Sequence, residues 1–532
     1  MAPEGRGGAR VAQLAEHAYL APRRVAPVLA GVIALVVYRL TMLGGVGASD
    51  VAEMETVPKV LGIAHPTGYP LWTLLGFVWT RIPLGNAALR MNFLTALYTA
   101  LAAGVLVVLA MRLGVRPWLA ASAGLIFAFA GETWFNAVHA EVQQLHVLLV
   151  ALLLLGFVIA EQSGGERGVV LMFGAAGLGL AHHALMIVTA VPVIAWFCVR
   201  HVRVMLVPRR LATSLAVLAA PLLVVFYLPI RLAHGAPVVN ANTQNGWIEI
   251  LKGEGFIGSF GTRKSVSIWW HGLSVYLKLA GRWLGWFVIG LAALGIVVLA
   301  LRGAAILVGL LLVILATTYA LVHAPDEVRY LVAPLLVLSL LAAIAAEEVV
   351  QTVSTSLANE GARRIAAVAL VCGFAVVPLV SLLTGYHGHD QSHETTDRLN
   401  AERILAALPA HAVIWSYWDI RTTLQYLHAV DGVRPDVTIL DDRADAQLGG
   451  EGAYAASYDL VANAVASDPK LAGRPIAFIP YPYESPYANR TGIVRYQLRQ
   501  FLVVQRPYGF DFLPDGWLYL LDPVASSASS AG

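Results

Sequence analysis

The sequence predicts a polytopic α-helical membrane protein with a smaller α/β unit at its C-terminal end, and three observations carry that expectation. Of 532 residues, 58% are hydrophobic and only 13% charged, with a mean hydropathy of +0.69, whereas soluble domains are roughly a quarter charged. About 11 apolar runs approach or reach the roughly 17–25 residues that cross a bilayer as a helix: 26–45, 88–111, 117–131, 143–160, 168–181, 184–199, 211–230, 283–301, 304–322, 331–346 and 365–384. After about Gly385 the composition turns richer in Asp, Pro and Tyr.

Residues 1–24 are polar and carry Arg6, Arg10, Arg23 and Arg24 ahead of the first apolar run. At about 20 residues that run exceeds a signal-peptide core, which predicts an uncleaved first helix, with Val46-Gly47-Ala48 as the place where cleavage would otherwise occur. Arginine sets the orientation. With a cytoplasmic N-terminus, the inner loops hold Arg112, Arg116, Arg167, Arg200, Arg203, Arg209, Arg210, Arg302, Arg363 and Arg364, and the short loops around 132–142 and 181–184 hold no Lys or Arg. The expected organisation is a cytoplasmic segment (1–24), a membrane part with outer loops (25–385), and an external, periplasmic α/β unit with a disordered end (386–532) in a multi-pass inner-membrane protein.

In that tail, the patterns predict a helix at Thr396–Leu408, a strand at Ala412–Ser416, a helix at Thr422–Ala429 and a strand at Val437–Leu440. Pro475–Pro480 and Gly516–Leu521 read as further strands bounded by Pro and Gly. The net charge of +3 is spread over many short loops, which gives nucleic-acid binding no support. Cys198 and Cys372 both lie in apolar runs and read as packing residues, with no disulfide framework and no metal site.

The polar residues cluster at one face. Ala48–Trp72, ASDVAEMETVPKVLGIAHPTGYPLW, places Asp50, Glu53, Glu55, Lys59 and His65 directly after the first apolar run. An ionised carboxylate at bilayer mid-depth costs about 2.5–3.5 kcal/mol on insertion scales, so such groups face water or a polar cavity. On the same predicted side lie GETWFNAVHAEVQQLH, with Glu132, Asn136, His139, Glu141, Gln143, Gln144 and His146, then LGLAHHAL, with His182 and His183. The loop that begins at Arg231 and the turn HAPDEVRYLVAP, with His323, Asp326, Glu327, Arg329 and Tyr330, complete the set. Taken singly, each has an ordinary reading as an interfacial histidine or a local ion pair such as Asp326 with Arg329. Together they bring acids, amides, imidazoles and two arginines to one membrane boundary, whereas a transporter is expected to place ionisable groups near the midplane.

The order of Asp50-x-x-Glu53, GIAHPTGYPLW (Gly62–Trp72), Asn92, WFNAVHAEVQQL (Trp134–Leu145) and GLGLAHHAL (Gly177–Leu185) resembles the bacterial relatives of the eukaryotic transmembrane protein O-mannosyltransferases that modify plexin-type receptors, a family of GT-C glycosyltransferases. HAPDEVRYLVAP and the tail's SYWDIRTTLQYLHAVDGVRPDVTIL are similar to later parts of that family. Ala52-Glu53-Met54 stands where many relatives have Gly-Glu-Phe, and Gln143 where a Tyr follows the AEV block, so the acceptor pocket is expected to differ.

The resemblance implies a GT-C-like enzyme that takes a sugar, a mannose-like hexose, from a polyprenyl-phosphate donor at the outer leaflet and gives it to a hydroxyl of a protein, glycan or lipid, inverting the anomeric carbon. Asp50 is the expected base and Glu53 its helper. His65, Tyr69, Glu141, His182, His183, Arg231, Asp326 and Arg329 are expected around the donor's phosphate and sugar. Trp415 and Trp418 of the tail are expected at the acceptor. The chemistry agrees: general-base help is typically worth about 10²–10⁴-fold, and cations near the departing phosphate stabilise its charge. No cofactor is expected beyond the lipid-linked sugar as co-substrate, and assistance by a divalent metal is left open. A flippase for lipid-linked sugars and a non-enzymatic membrane assembly factor are the competing readings.

Overall fold

A computed structural model describes residues 5–241, 243, 246–252, 266–321, 328–440, 458–480, 482, 496–508 and 514–523. Each of the eleven apolar runs is helical over most of its length within these residues, although 26–45 leaves helix after Thr41 and 117–131 breaks between Ala128 and Gly131. The first half comprises α1 (Gly5–Thr41), α2 (Ser49–Val60), α3 (Pro70–Trp79), α4 (Ala87–Arg112), α5 (Pro117–Ala128), α6 (Gly131–Ala137), α7 (Gln143–Ser163), α8 (Glu166–Leu180) and α9 (Leu185–Arg200). Later helices include Pro208–Ala219, Val266–Leu284, Trp286–Leu301, Ile306–Leu321, Val332–Ser356 and Glu360–His389. Six helices among the described residues are long and apolar enough to cross a membrane, or eight if each of two sharply bent pairs counts as one span. The chain is a multi-pass membrane protein.

The bundle has an inside and an outside. In α7 and in Val328–Ser356, 89% of the apolar window is buried among other helices, against 11% in Glu360–His389 and 17% in Pro208–Ala233. The inner helices are apolar all round because protein surrounds them, and the outer ones expose Ile365, Val368, Leu379 and Leu383 as lipid-facing side chains. Glycine sets one close crossing: a Cβ on Gly168 of α8 would lie 2.3 Å from the Ala160 nitrogen of α7.

The tail folds around a five-stranded sheet of β1 (Val413–Ser416), β2 (Thr438–Ile439), β3 (Ile476–Ile479), β4 (Tyr496–Val504) and β5 (Gly516–Pro523), in the order β2-β1-β3-β5-β4. β1 runs parallel to β2 and β3, and β5 antiparallel to β3 and β4. Helices cover both faces of β1 and β3, so VIWS and IAFI are buried at every position. The predicted helix at 422–429 begins a turn earlier, at Trp418. The helix Tyr458–Ser467 and strand β4 were absent from the sequence reading. β4 lacks clean alternation because its register shifts between Gln500 and Leu502.

Candidate active site

Three glycines, Gly44, Gly45 and Gly47, stop α1 at Thr41, and the short segment after it is clamped from several sides. Leu43 N–H donates to Val138 O at 2.9 Å, and the Asn92 amide donates to the Leu43 and Gly45 carbonyls at 3.0 and 3.3 Å. The fully buried Glu55 accepts from Gly47 N–H at 3.1 Å. This clamp starts α2 at Ser49, placing Asp50 in its first turn, where the helix dipole favours a carboxylate. Glu53 follows at i+3 on the same face.

The loop between α2 and α3 presents His65 and Tyr69. Gly62 is required there because Ile63 pairs in parallel with Val239, and a Cβ on Gly62 would meet Val238 O at 2.7 Å. Gly68 adopts φ +79°, a conformation open to glycine. The Arg231 Nε donates to Leu61 O at 2.8 Å and the Tyr227 hydroxyl to Gly62 O at 2.6 Å. Arg231 therefore clamps this loop through Nε, a role its sequence position did not reveal.

The predicted residues converge in two linked groups. In the first, Arg329 Nη1 lies 2.9 Å from Asp50 Oδ2 and 3.3 Å from Glu141 Oε2, so one guanidinium bridges two carboxylates. Trp418 Nε1 donates to the other Asp50 oxygen, Oδ1, at 3.0 Å. In the second, Glu53 accepts from the His65 backbone N–H at 2.8 Å and from the His65 ring at Nδ1, and the Tyr69 hydroxyl stands 3.2 Å from His65 Nε2. Tyr69 in turn packs against His183, ring centroids 5.4 Å apart, and His183 against Tyr330 at 5.6 Å. Nδ1 of His183 accepts from Leu185 N–H at 2.9 Å, and its Nε2 stands 3.0 Å from the Gln143 amide.

Electrostatics assigns the protonation states. Burial pushes the Asp50 carboxyl up, but the Arg329 and His65 charges and the hydrogen bonds from Trp418 and Arg329 outweigh it, and the net shift is downward. Burial raises Glu141 more than Arg329 lowers it. Burial disfavours the His65 cation, yet the charges of Glu53 and Asp50 and the Glu53 hydrogen bond lift it to about 9, so it is an imidazolium at neutral pH. Burial holds His183 well below the usual imidazole range and His182 at about 4. His182 is thus neutral: its Nε2 donates to Val142 O at 2.8 Å, which leaves Nδ1 as a lone-pair acceptor. In this state it is a neutral polar group on the wall of a cavity.

Two cavities flank the group. A polar one of about 260 Å³ is lined by Ser49, Asp50, Glu132, Asn136, His139, Glu141, Arg329, Gln391, Asp397 and Tyr508 among others. An apolar one of about 330 Å³ is lined by Pro70, Leu180, His182, Ile187, Leu222, Val225, Phe226 and Trp247 among others. Asp50, Glu53 and His65 present ligand atoms within 4.8 Å of one another, close enough to share a cation. A divalent ion there would displace the internal partners of all three, since Arg329 and Trp418 hold Asp50 and Glu53 holds His65.

Gln391, Asp397 and Tyr508 went unnoticed in the sequence because they lie in the tail with no local motif around them. Trp415 is 1% exposed and stacks on Phe478, centroids 5.0 Å apart, inside the tail's core. It packs the sheet and does not face a ligand, a correction to its expected place at the acceptor. Asp326, His323 and Glu327, and the tail aromatics Tyr454, Tyr481 and Tyr483, lie outside the described residues.

Residues 50–206 match a family described as the N-terminal domain of protein O-mannosyl-transferase TMEM260. Over 204 residues, 36% of this chain, the sequence is 33% identical to protein O-mannosyl-transferase TMEM260 of Mus musculus, and this match spans 28% of that protein's length. The fold is similar to ArnT from Cupriavidus metallidurans solved bound to undecaprenyl phosphate, with a TM-score of 0.59 at 13% identity, covering 94% of this chain and 98% of that one. It is also similar to an Archaeoglobus fulgidus oligosaccharyltransferase solved in complex with Zn and sulfate, with a TM-score of 0.53 at 12% identity over 85% of this chain and 68% of that one. The chain is related to the O-mannosyl-transferases through its first half and has a GT-C fold.

Proposed function

We propose that this protein is a membrane glycosyltransferase that moves a mannose-like hexose from a polyprenyl-phosphate donor to a hydroxyl at the outer membrane face, with inversion. The observation that carries the reading is Asp50: an ionised carboxylate open to a polar cavity, with a guanidinium and an imidazolium beside it. The activity named for the TMEM260 relatives supports sugar transfer, and the undecaprenyl phosphate named for the ArnT structure supports a lipid-linked donor.

In this reading the polyprenyl chain lies along the apolar cavity of Pro70, Ile187, Leu222 and Phe226, and the acceptor enters through the polar one. Asp50 takes the hydroxyl proton as the oxygen attacks the anomeric carbon from the face opposite the phosphate. The bond from that carbon to the phosphate oxygen breaks, and the polyprenyl phosphate leaves with the electron pair. Arg329 and His65 meet the departing charge, and Glu53 and Tyr69 keep His65 oriented and protonated. The reaction runs without a divalent metal, since two fixed cations supply the positive charge. Eleven spans, obtained when α8, α9 and Ile306–Leu321 cross as well, leave the N-terminus cytoplasmic and the tail external in the inner membrane.

The test is to incubate purified protein with undecaprenyl-phosphate mannose and Ser/Thr-containing peptides, following mannose release to water and transfer to peptide, with the anomeric configuration read by NMR. Neither release nor transfer, or a product of retained configuration, defeats the proposal. Single-cysteine variants at Ser392 and Val207, in a chain freed of Cys198 and Cys372, should label oppositely with an impermeant reagent, and equal labelling defeats the topology.

A further inference from the structure

We infer that Trp418 is a positioning residue for the transfer reaction, so that the tail completes the catalytic chamber as well as facing the acceptor. This rests on the reading of Asp50 as the base. The two oxygens of Asp50 are held by different means: Oδ2 by the Arg329 guanidinium at 2.9 Å, and Oδ1 by the Trp418 indole N–H at 3.0 Å.

The two holders have different fates in a reaction that ends with polyprenyl phosphate. Arg329 is the group that a phosphate dianion would draw toward itself. An indole N–H donates only, carries no charge and does not titrate near neutrality, so it keeps the carboxylate aimed without competing for the proton that Asp50 must take. An aimed base is what a near-attack geometry requires.

The indole is itself held. Its ring lies beneath the guanidinium of the fully buried Arg421, whose central carbon is 5.3 Å from the ring centroid, and meets His65 edge-on at 5.9 Å. Trp418 opens the helix Trp418–Ala429, and three contacts fix that helix against the membrane part. Thr423 Oγ1 donates to Gly47 O at 2.8 Å, the Tyr426 hydroxyl accepts from Ala88 N–H at 3.0 Å, and the Gln425 and Asn240 amides exchange hydrogen bonds at 3.1 Å. Gly47 lies three residues before Asp50, so one tail helix grips the base's side chain and its backbone approach together.

The experiment uses the full chain in nanodiscs and the release of mannose from undecaprenyl-phosphate mannose to water, which requires no acceptor. Trp418→Phe keeps the ring over Arg421 and removes the N–H. It should lower kcat on the order of tenfold, the scale of one hydrogen bond to a charged group, with donor KM within about twofold. The acid limb of the rate profile should move to higher pH, because a donor to the ionised form of Asp50 has gone. A kcat and acid limb equal to wild type per folded molecule, or a loss confined to KM, overturns the inference. Should Trp418→Phe fail to fold, Thr423→Val reads the same question: lower kcat with unmoved KM supports the inference, and unchanged kcat overturns it. Asp50→Asn is run alongside. If it keeps the wild-type rate, the base assignment itself has failed, an outcome distinct from a normal Trp418→Phe beside an inactive Asp50→Asn.

Discussion

The stretch from Asp50 to His183 and the stretch from Val328 onward build the same chamber by unlike means. The first supplies three carboxylates (Asp50, Glu53 and Glu141), two histidines (His65 and His183) and Tyr69 from compact polar blocks between apolar runs. The second supplies the arginine and the indole that fix the state of those groups, Trp418 standing 368 positions from the carboxylate it holds. The first stretch overlaps the region matched by the O-mannosyl-transferase family, whereas Arg329 and Trp418 lie beyond it. The difference teaches that the clustered polar groups and the groups that set their charge and aim come from distant parts of the chain and meet only through folding.

The largest expected effect belongs to the first stretch. Asp50→Asn keeps shape and most hydrogen bonding but removes the base, so turnover of undecaprenyl-phosphate mannose should fall at least about 10²-fold with little change in donor affinity. If turnover is normal, Glu141, on the other side of Arg329, becomes the better base. Arg329→Gln probes the second stretch and should cost on the order of tenfold or more in kcat/KM, because it leaves Asp50 and Glu141 facing each other across the chamber. Arg329→Lys should recover only part of this, since its shorter, strongly hydrated ammonium restores the charge but not the reach of Nη1 to both carboxylates. A full recovery by Lys would reduce Arg329 to a point charge.

His65 separates charge from shape. Its pKa of about 9 keeps it cationic at neutral pH, so the wild-type rate should decline as pH rises through about 9. His65→Gln should lower the rate severalfold and abolish that decline, and a decline that persists assigns the alkaline limb to another group. Smaller still is the response to a chelator: excess EDTA should leave turnover unchanged, and a loss restored by a divalent ion would reassign Asp50, Glu53 and His65. Trp415→Phe should likewise leave kcat per folded molecule at the wild-type value, its cost falling on stability through lost packing on Phe478.

The fold and the site were legible in the sequence to different depths. Apolar runs announce helices because the bilayer demands that every backbone polar group be satisfied within a segment, so each run is helical over most of its length. Asp50, Glu53 and His65 were legible because charge beside a long apolar run is costly unless used. Arg231 and His182 show where such reasoning stops: residue type and position do not reveal that the fold ties Arg231 Nε to the Leu61 carbonyl and keeps His182 neutral. Trp415 and Trp418 are three residues apart and equally aromatic, yet one lies inside a sheet and the other against the Asp50 carboxylate. What separates them is the strand ending at Ser416 and the helix starting at Trp418, boundaries that propensity places only loosely.

The grip of the helix Trp418–Ala429 on Gly47, Ala88 and Asn240 also has a meaning for biosynthesis. A chain halted on the ribosome after its last membrane helix already owns Asp50, Arg329 and Glu141, but it lacks the indole that aims the base and the hydroxyl that pins its approach. Contacts of such sequence separation are among the slowest to form, because the loop they close must be ordered before they stabilise anything. In the proposed reading the chamber is finished late, after the spans are in place, and a half-made copy hydrolyses the donor poorly. Ribosome-bound chains released at residue 410 and at residue 532 should show this directly, with mannose release rising on the order of tenfold between the two.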